Sequence, residues 1–386
     1  MIPILQNLDE AFIVKDGTHD SPKYVNKDIG FPLITSKNLK NGELDFEHVD
    51  YITKTDYDKI NQRSKVDRGD LLFAMIGTIG NPTIVKAEPR FAIKNVALFK
   101  PTPANNSLMY LRFYLANDST KKRLLQKTKG GTQQFVSLGV LRKFKIKLPS
   151  VSDQIQIATI LSKAENLIAQ RKESIALLDD FLKSSFLEMF GDPVRNEKGW
   201  NKIKFKEAVK NENAKRIPVK QGDRDNREGI YPYYGATGII DTIDDYKFEG
   251  EYLLIAEDGK NLLFRKKNNA FMARGRFWVN NHAHVLSFNG ICNLRYLEFF
   301  LTSIDFRPFI SGIDQVKLNK ENLDKIPVPY PPISLQTQFA HIVEKAEALK
   351  AQYQSSLQEL ENLYGSLSQK AFKGELEFSK EVTRAE

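Results

Sequence analysis

Asp16-Gly17-Thr18-His19 and Ser36-Lys37-Asn38 put short polar side chains on turn-forming stretches beside apolar runs. Lys94-Asn95 interrupts a further apolar run, and Thr78 sits within Gly77-Thr78-Ile79-Gly80. Lys129, Thr132, Gln133 and Gln134 share one polar stretch. The later part of the chain offers a comparable set. Tyr234 and Thr237 lie in an aromatic, glycine-rich turn, and Arg274-Gly275-Arg276 precedes Phe277-Trp278 as a basic loop. Asn280, Asn281 and His282 follow, then Gln315 and Lys317. Arginine matches guanine edges, and asparagine or glutamine matches adenine edges. Lysine and threonine suit phosphate oxygens. The bland alternative for each cluster is a solvated loop.

Patterns that would support catalysis are missing. The chain has no GxxxxGK[ST] phosphate loop and no HExxH. Gly77-Thr78-Ile79-Gly80 lacks the Rossmann spacing and reads as a tight turn. Pro329-Tyr330-Pro331-Pro332 superficially resembles the Pro-Pro-aromatic motif of amino-methyltransferases, but its order is wrong and no amide or carboxylate precedes the prolines. It reads as a helix lead-in. His282 and His284 alternate on an expected strand and so share one face. A zinc site would want more ligands nearby. The one cysteine, Cys292, excludes an internal disulfide and reads as a small buried hydrophobe. No catalytic residue and no metal ligand is assigned.

Two long periodic stretches must position these clusters. In Pro149–Asp192, Leu161, Ile168, Ile175, Leu182 and Met189 recur every seven positions, with Ile160, Leu167, Ser174 and Phe181 alongside. Ser152 is the expected N-cap, Gly191 the left-handed C-cap, and Pro193 the stop. The helix is about 55 Å long, a coiled-coil seam in need of a partner. Pro331–Gly374 is a second copy, 182 residues on: Ser152, Gln154, Gln156, Ala158, Lys163-Ala164-Glu165 and Phe190 all have identical counterparts there. Its seam runs through Val343, Leu357, Tyr364 and Ala371, flanked by Ile342, Leu349 and Leu363. Lys350 and Tyr353 break its apolar pattern.

The 386 residues allow two or three domains. No stretch approaches the roughly 20 apolar residues of a membrane span, and the N-terminus lacks signal-peptide features. The expected location is the cytoplasm. The net charge of +9 divides unevenly. Residues 1–148 carry 24 Lys or Arg and 15 Asp or Glu, and residues 193–330 carry 23 and 18. The long helices are mildly acidic. A polyanion would meet the globular segments and not the rods.

Both globular segments read as mixed, with more strand than helix. Residues 70–76 form a buried strand, residues 91–99 form another around Lys94-Asn95, and residues 107–128 form a helix. Residues 251–256, 278–286 and 294–301 repeat this plan loosely.

At this point the chain resembles the specificity subunit of type I restriction-modification systems, over essentially its full length. The carriers are the two lead-in and helix copies, Leu148 through Asp192 and Pro331 through Gly374. Further carriers are Asp16 to Pro22, Ile34 to Leu39 and Met75 to Pro82, and then Tyr233 to Gly238, Ile255 to Gly259 and Trp278 to His284. The usual tryptophan of the first strand is missing from the N-terminus; its counterpart here is Trp200.

The resemblance implies an α/β (α+β) protein with a pseudo-two-fold internal repeat. Two target-recognition domains, 1–148 and 193–330, are separated by two long antiparallel coiled-coil helices, 149–192 and 331–378, with a tail at 379–386. It implies double-stranded DNA with a split recognition site as ligand. Two methyltransferase subunits and a restriction/translocase subunit are the implied partners. S-adenosylmethionine, ATP and Mg²⁺ belong to those partners, and this chain carries no cofactor. The helices would set the gap between half-sites. A competing reading is a DNA-modifying enzyme with an unrecognised active site. A pure assembly scaffold is disfavoured by the charge partition.

Overall fold

The computed structural model describes residues 4–127, 134–312 and 315–376. The chain divides into two units. One holds the residues up to Arg171 and those from Ser356 onward; the other is Lys172–Ser355.

The first unit is built on a four-stranded antiparallel sheet, in the order Phe12–Asp16, Val96–Pro101, Leu71–Ala74, Gly80–Ile84. The unbroken apolar run at Leu71–Ala74 follows from burial of both sheet faces. Leu71 and Phe73 face one core with Leu111 and Tyr114, while Leu72 and Ala74 face another with Ile34 and Ile93. The expected single strand over 91–99 is two. Ala92–Ile93 pairs in parallel with Phe31–Ile34 in a second sheet, and Asn95 turns the chain out of it at φ +54°. Asparagine tolerates that left-handed geometry. The expected helix over 107–128 is likewise two, Leu108–Ala116 and Asp118–Leu125. Asn117 ends the first and caps the second, its side chain accepting from the Ser119 N–H at 3.0 Å.

A two-stranded ribbon, Ile4–Asn7 with Lys145–Leu148, closes the globular part and leads into the central helix, Val151–Phe190. Ser150, and not Ser152, is its cap: the Ser150 hydroxyl accepts from Asp153 N–H at 3.2 Å. Gly191 ends it at φ +76°, as expected.

The second unit repeats the plan with a six-stranded sheet, in the order Lys210–Asn211, Ala283–Ser287, Phe248–Ala256, Ala270–Val279, Tyr231–Gly235, Gly238–Ile243. Its root is the ribbon Lys202–Lys204 with Pro327–Pro329, followed by the final helix, Ile333–Lys373. The expected strand over 278–286 breaks at Asn280–His282, and its two parts pair on opposite sides of Phe248–Ala256. His282 therefore sits in the turn while His284 is fully buried, so the two do not share a strand face.

Each unit contains the start of one long helix and the end of the other. In the first, Ile157, Ala158 and Leu161 of the central helix join Ala371 and Phe372 of the final helix around Tyr110 and Tyr114. In the second, Phe339, Val343 and Ala346 join Leu182, Phe186 and Phe190 around Tyr296. Within each unit the helices thus run antiparallel. The seam break at Lys350 has a partner: its Nζ lies 2.6 Å and 2.8 Å from the two Asp179 carboxylate oxygens. The second apolar row is left largely uncovered. Leu167, Phe181 and Leu363 are each about half exposed, as are Ile155, Leu177 and Leu187.

One bracket recurs in both units. Gln154, buried, accepts from Ser107 N–H at 2.9 Å and donates to the Pro149 carbonyl at 3.0 Å. Gln336 accepts from Asn293 N–H at 2.8 Å and donates to the Pro331 carbonyl at 2.8 Å. Tyr110 and Tyr296 each donate to a ribbon carbonyl, Lys147 at 2.7 Å and Pro329 at 2.8 Å. These bonds fix the start of each long helix to its globular part.

Candidate nucleic-acid interface

In each unit the loops at one end of the main sheet converge. Leu71–Ala74 continues into Met75, Ile76 and Gly77, which are zipped to the segment leading toward the central helix. Gly77 N–H donates to the Gln134 carbonyl (3.2 Å), and Val136 N–H donates to the Met75 carbonyl (2.9 Å). The second unit repeats both bonds at the same 182-residue shift: Gly259 N–H to the Val316 carbonyl (3.0 Å), and Leu318 N–H to the Glu257 carbonyl (2.8 Å). The bridges Ile76 to Phe135 and Asp258 to Lys317 correspond in the same way. The backbone frame is kept while the side chains on it differ.

At the first pole the Asp16 carboxylate is buried at the end of its strand. It accepts from Arg63 Nη2 at 2.7 Å and lies 2.9 Å from His19 Nε2. His19 Nδ1 is 2.7 Å from the Asn95 side-chain oxygen. Gly17 is required here, because a Cβ would fall 2.1 Å from the Ile93 carbonyl oxygen. That close approach lets Thr18 N–H reach the Ile93 carbonyl and Asn95 N–H reach the Thr18 carbonyl. Ser36 Oγ donates to the Asn95 carbonyl at 3.1 Å, and Lys94 Nζ donates to Ser21 Oγ at 2.7 Å. A cavity of about 370 Å³ opens among Asp16, His19, Met75, Asn95, Phe135 and Leu138. Lys37, Thr78 and Gln134 are exposed around it or on adjoining loops.

The second pole has the same ingredients from other positions. His282 Nδ1 lies 2.7 Å from Asp258 Oδ2, and Arg216 Nη1 donates to Glu257 Oε2 at 2.7 Å. The Asn280 side-chain oxygen accepts from His282 N–H at 2.8 Å. Asn280, Asn281 and His282 line a cavity of about 500 Å³ with Arg224 and Tyr233. Lys317 is exposed and bridged to Asp258, and Gln315, two residues before it, is exposed as well. His284 lies beneath, donating from Nε2 to the Leu318 carbonyl at 2.7 Å and accepting from Asn213 at Nδ1. Burial pushes its pKa down and keeps it neutral.

The structure therefore gathers most of the expected residues into two poles. Asn38 is near the first, but its amide is used inside the loop. Its oxygen accepts from Thr35, and its nitrogen donates to the Asp45 and His48 carbonyls. Tyr234 is packed between Phe271 and Phe277, and its carbonyl accepts from Asn280 N–H. Thr237 lies at the neighbouring hairpin turn. Lys129, Thr132 and Gln133 fall outside the described residues, as does the tail from 379. Arg274-Gly275-Arg276 is not a loop. It lies in the strand Ala270–Val279, with Glu251 and Glu249 directly opposite. Arg274 Nε is 2.6 Å from Glu251 and Nη1 3.6 Å from Glu347, and Arg276 is 2.9 Å from Glu249. Both guanidiniums already have carboxylate partners. Arg63 and Arg216 were not foreseen. Both reach their pole from outside the motifs, Arg63 from the last turn of the helix Lys54–Ser64.

Among the described residues one acidic group has metal-like spacing, Asp45, Glu47 and His48. Lys40 Nζ is 2.5 Å from Asp45 Oδ2 and holds that carboxyl far below its usual range. No helix among the described residues is long and apolar enough to cross a membrane.

Residues 6–177 and 197–362 each match the model of the type I restriction modification DNA specificity domain, and the chain belongs to that family. A Haemophilus influenzae chain assigned as a type I restriction enzyme specificity subunit is 41% identical over 140 residues, 36% of this chain and 35% of that one. The match thus spans about a third of that relative. The MjaIX specificity subunit of Methanocaldococcus jannaschii is 22% identical over 89% of this chain and 86% of its own. The solved S subunit of Mycoplasma genitalium superposes with a TM-score of 0.64 at 16% identity, covering 96% of this chain and 99% of that one. It shows the same mixed fold.

Proposed function

We propose that the chain is the specificity subunit of a type I restriction-modification complex and reads a split duplex-DNA target through its two poles. Residues 1–148 and 193–330 are the two reading domains. The observation that carries this is the pole frame repeated at 182 residues with different side chains upon it. One scaffold carrying two surfaces suits two different half-sites. Asn, Gln, Lys and Thr groups at the poles face base edges and phosphates.

The chain itself supplies recognition and not catalysis. Methyl transfer with S-adenosylmethionine, and cleavage or translocation with ATP and Mg²⁺, belong to methyltransferase and restriction subunits. The uncovered apolar row on the long helices, with Leu167, Phe181 and Leu363, is the docking face for two methyltransferase subunits. The complex works in the cytoplasm, where its DNA is.

A methylation map of cells expressing the chain with its methylating partner tests the reading. Two short sequences at a fixed gap are expected. Modification without a split motif, or by the purified chain alone when given S-adenosylmethionine, would sink it.

A further inference from the structure

Residues 119–148 contain 9 Lys or Arg and no Asp or Glu. Residues 1–118 contain 15 of each, so the entire positive surplus of the first domain lies in this one stretch. We propose that the cations on its described residues form a sequence-independent phosphate-binding surface for duplex DNA, extending the first pole toward the root of the central helix. The proposal rests on the DNA-reading function above, and it assigns a second kind of contact to a different face.

Lys121, Lys122, Arg123 and Lys127 are exposed on the helix Asp118–Leu125 and just beyond it. Lys143, Lys145 and Lys147 are exposed on the ribbon strand and its approach, alternating with the buried Phe144, Ile146 and Leu148. Alternation puts Lys145 and Lys147 on one face, about 7 Å apart. Helix and strand are joined into one surface. Arg123 Nη2 donates to the Lys145 carbonyl at 2.8 Å, and its guanidinium stacks 4.9 Å over Phe144. Lys127 Nζ lies 5.9 Å over the same ring. At the other end, Lys121 borders the Gly77–Gly80 loop: a Cβ on Gly80 would stand 4.0 Å from Lys121 Cε. The surface therefore continues the pole.

Among the described residues none of these seven cations has a carboxylate partner. Elsewhere in the same unit, Lys100 is held by Asp67 and Asp70, and Arg112 by Glu165. Like charges held together without counter-charges raise the energy of the free chain and favour a polyanion. The fold does not require them. The second unit builds the equivalent ribbon with Pro327 and Pro329 where the first has Lys145 and Lys147. Asp324 stands where the first has Arg142, and Lys325, the counterpart of Lys143, is paired with Glu321 at 2.6 Å. The second ribbon carries its lysines on the other strand, Lys202 and Lys204 opposite Pro329 and Pro327, so the strand that leads into the long helix is cationic in the first half alone.

The test uses the full chain, with its methylating partner, on two duplexes: its mapped target and a random sequence of equal length. The triple variant Lys143→Gln, Lys145→Gln, Lys147→Gln removes three contacts. The slope of log affinity against log salt should flatten by about 2 to 3. Affinity should fall by the same factor for both duplexes, leaving the preference for the target intact. A control triple, Lys54→Gln, Lys65→Gln, Lys86→Gln, removes the same charge from lysines that have acidic partners and should leave the slope as it was. An unchanged slope in the ribbon variant, or an equal flattening in the control, overturns the proposal. So does unchanged DNA binding with loss of the methylating partner, which would make the surface a protein-docking face. If the wild-type complex shows no preference for the mapped target, the DNA-reading function fails instead. The random-sequence arm still decides the phosphate surface.

Discussion

Asp16 holds two partners, Arg63 from 47 residues away with no local pattern to connect them, and His19 three residues on within the same cluster. Substituting Asp16→Asn removes the charge but keeps the shape. Both partners are more than half exposed, so water screens much of the loss. A destabilisation of about 1–2 kcal/mol is expected by denaturant titration. The larger effect should be loss of one half of the split target in a methylation map, with the other half unchanged. Arg274 and Arg276 belong to the opposite case. The sequence suggests that neutralising them weakens DNA binding. With Glu249, Glu251 and Glu347 as partners, Arg274→Gln and Arg276→Gln should lower thermal stability and leave the salt slope nearly unchanged. His284 gives a pH signature. Its pKa lies below the ordinary 6.5, mainly through burial. As pH falls below 6.5 the unfolded chain takes up a proton that the folded chain resists, so stability drops progressively toward the depressed folded value. A His284→Gln variant, measured by thermal melts from pH 8 to pH 5, should show a flatter profile.

The Gln154 and Gln336 brackets are the joints between element and element. Gln336→Leu leaves the Asn293 N–H and the Pro331 carbonyl without partners, a cost of about 2–4 kcal/mol. Equilibrium unfolding should show it, and Gln336→Glu should recover only the bond to the N–H. Both glutamines stood out in the sequence as repeat identities, and their meaning required the fold. The long helices were legible from their period and from the stop at Gly191, which are local signals, although the cap lay at Ser150 and not at Ser152. The errors were local too. Asn117 and Asn95 each break what continuous apolar runs suggest, the one as a cap and the other through a left-handed turn. A run of apolar residues does not reveal which sheet each of its parts enters. The poles were legible as polar clusters, but Arg63 and Arg216 act through tertiary reach and left no pattern. The helix pair also refines the expectation that it sets the half-site gap. Each unit contains part of both helices, so four residues should be added to both, after Arg171 and after Ser355. One turn on each, about 6 Å, should lengthen the gap by roughly one or two base pairs and leave both half-site sequences intact. A methylation map with an unchanged gap would remove the helices from that role.

At the scale of the molecule, the proposed reading domains and the helical framework occupy separate stretches of the chain. Exchanging residues 193–330 for another recognition domain should change one half-site and keep the other and the gap. The long helices, however, tie the two ends of the chain to one core. Ala371 and Phe372 lie against Tyr110 and Tyr114, with Tyr110 to Phe372 at 5.7 Å between ring centres. During synthesis the first unit therefore waits for the last. The ribosome must make all of Lys172–Ser355 before Phe372 emerges, on the order of 10–40 s at ordinary elongation rates. For that interval Tyr110 and Tyr114 lack their cover, although the first domain is already complete in sequence. A nascent chain stalled before Ser356 should be cut by protease within residues 1–171 far faster than the released protein. Slow translation of the second half would then lengthen a window of vulnerability in the first.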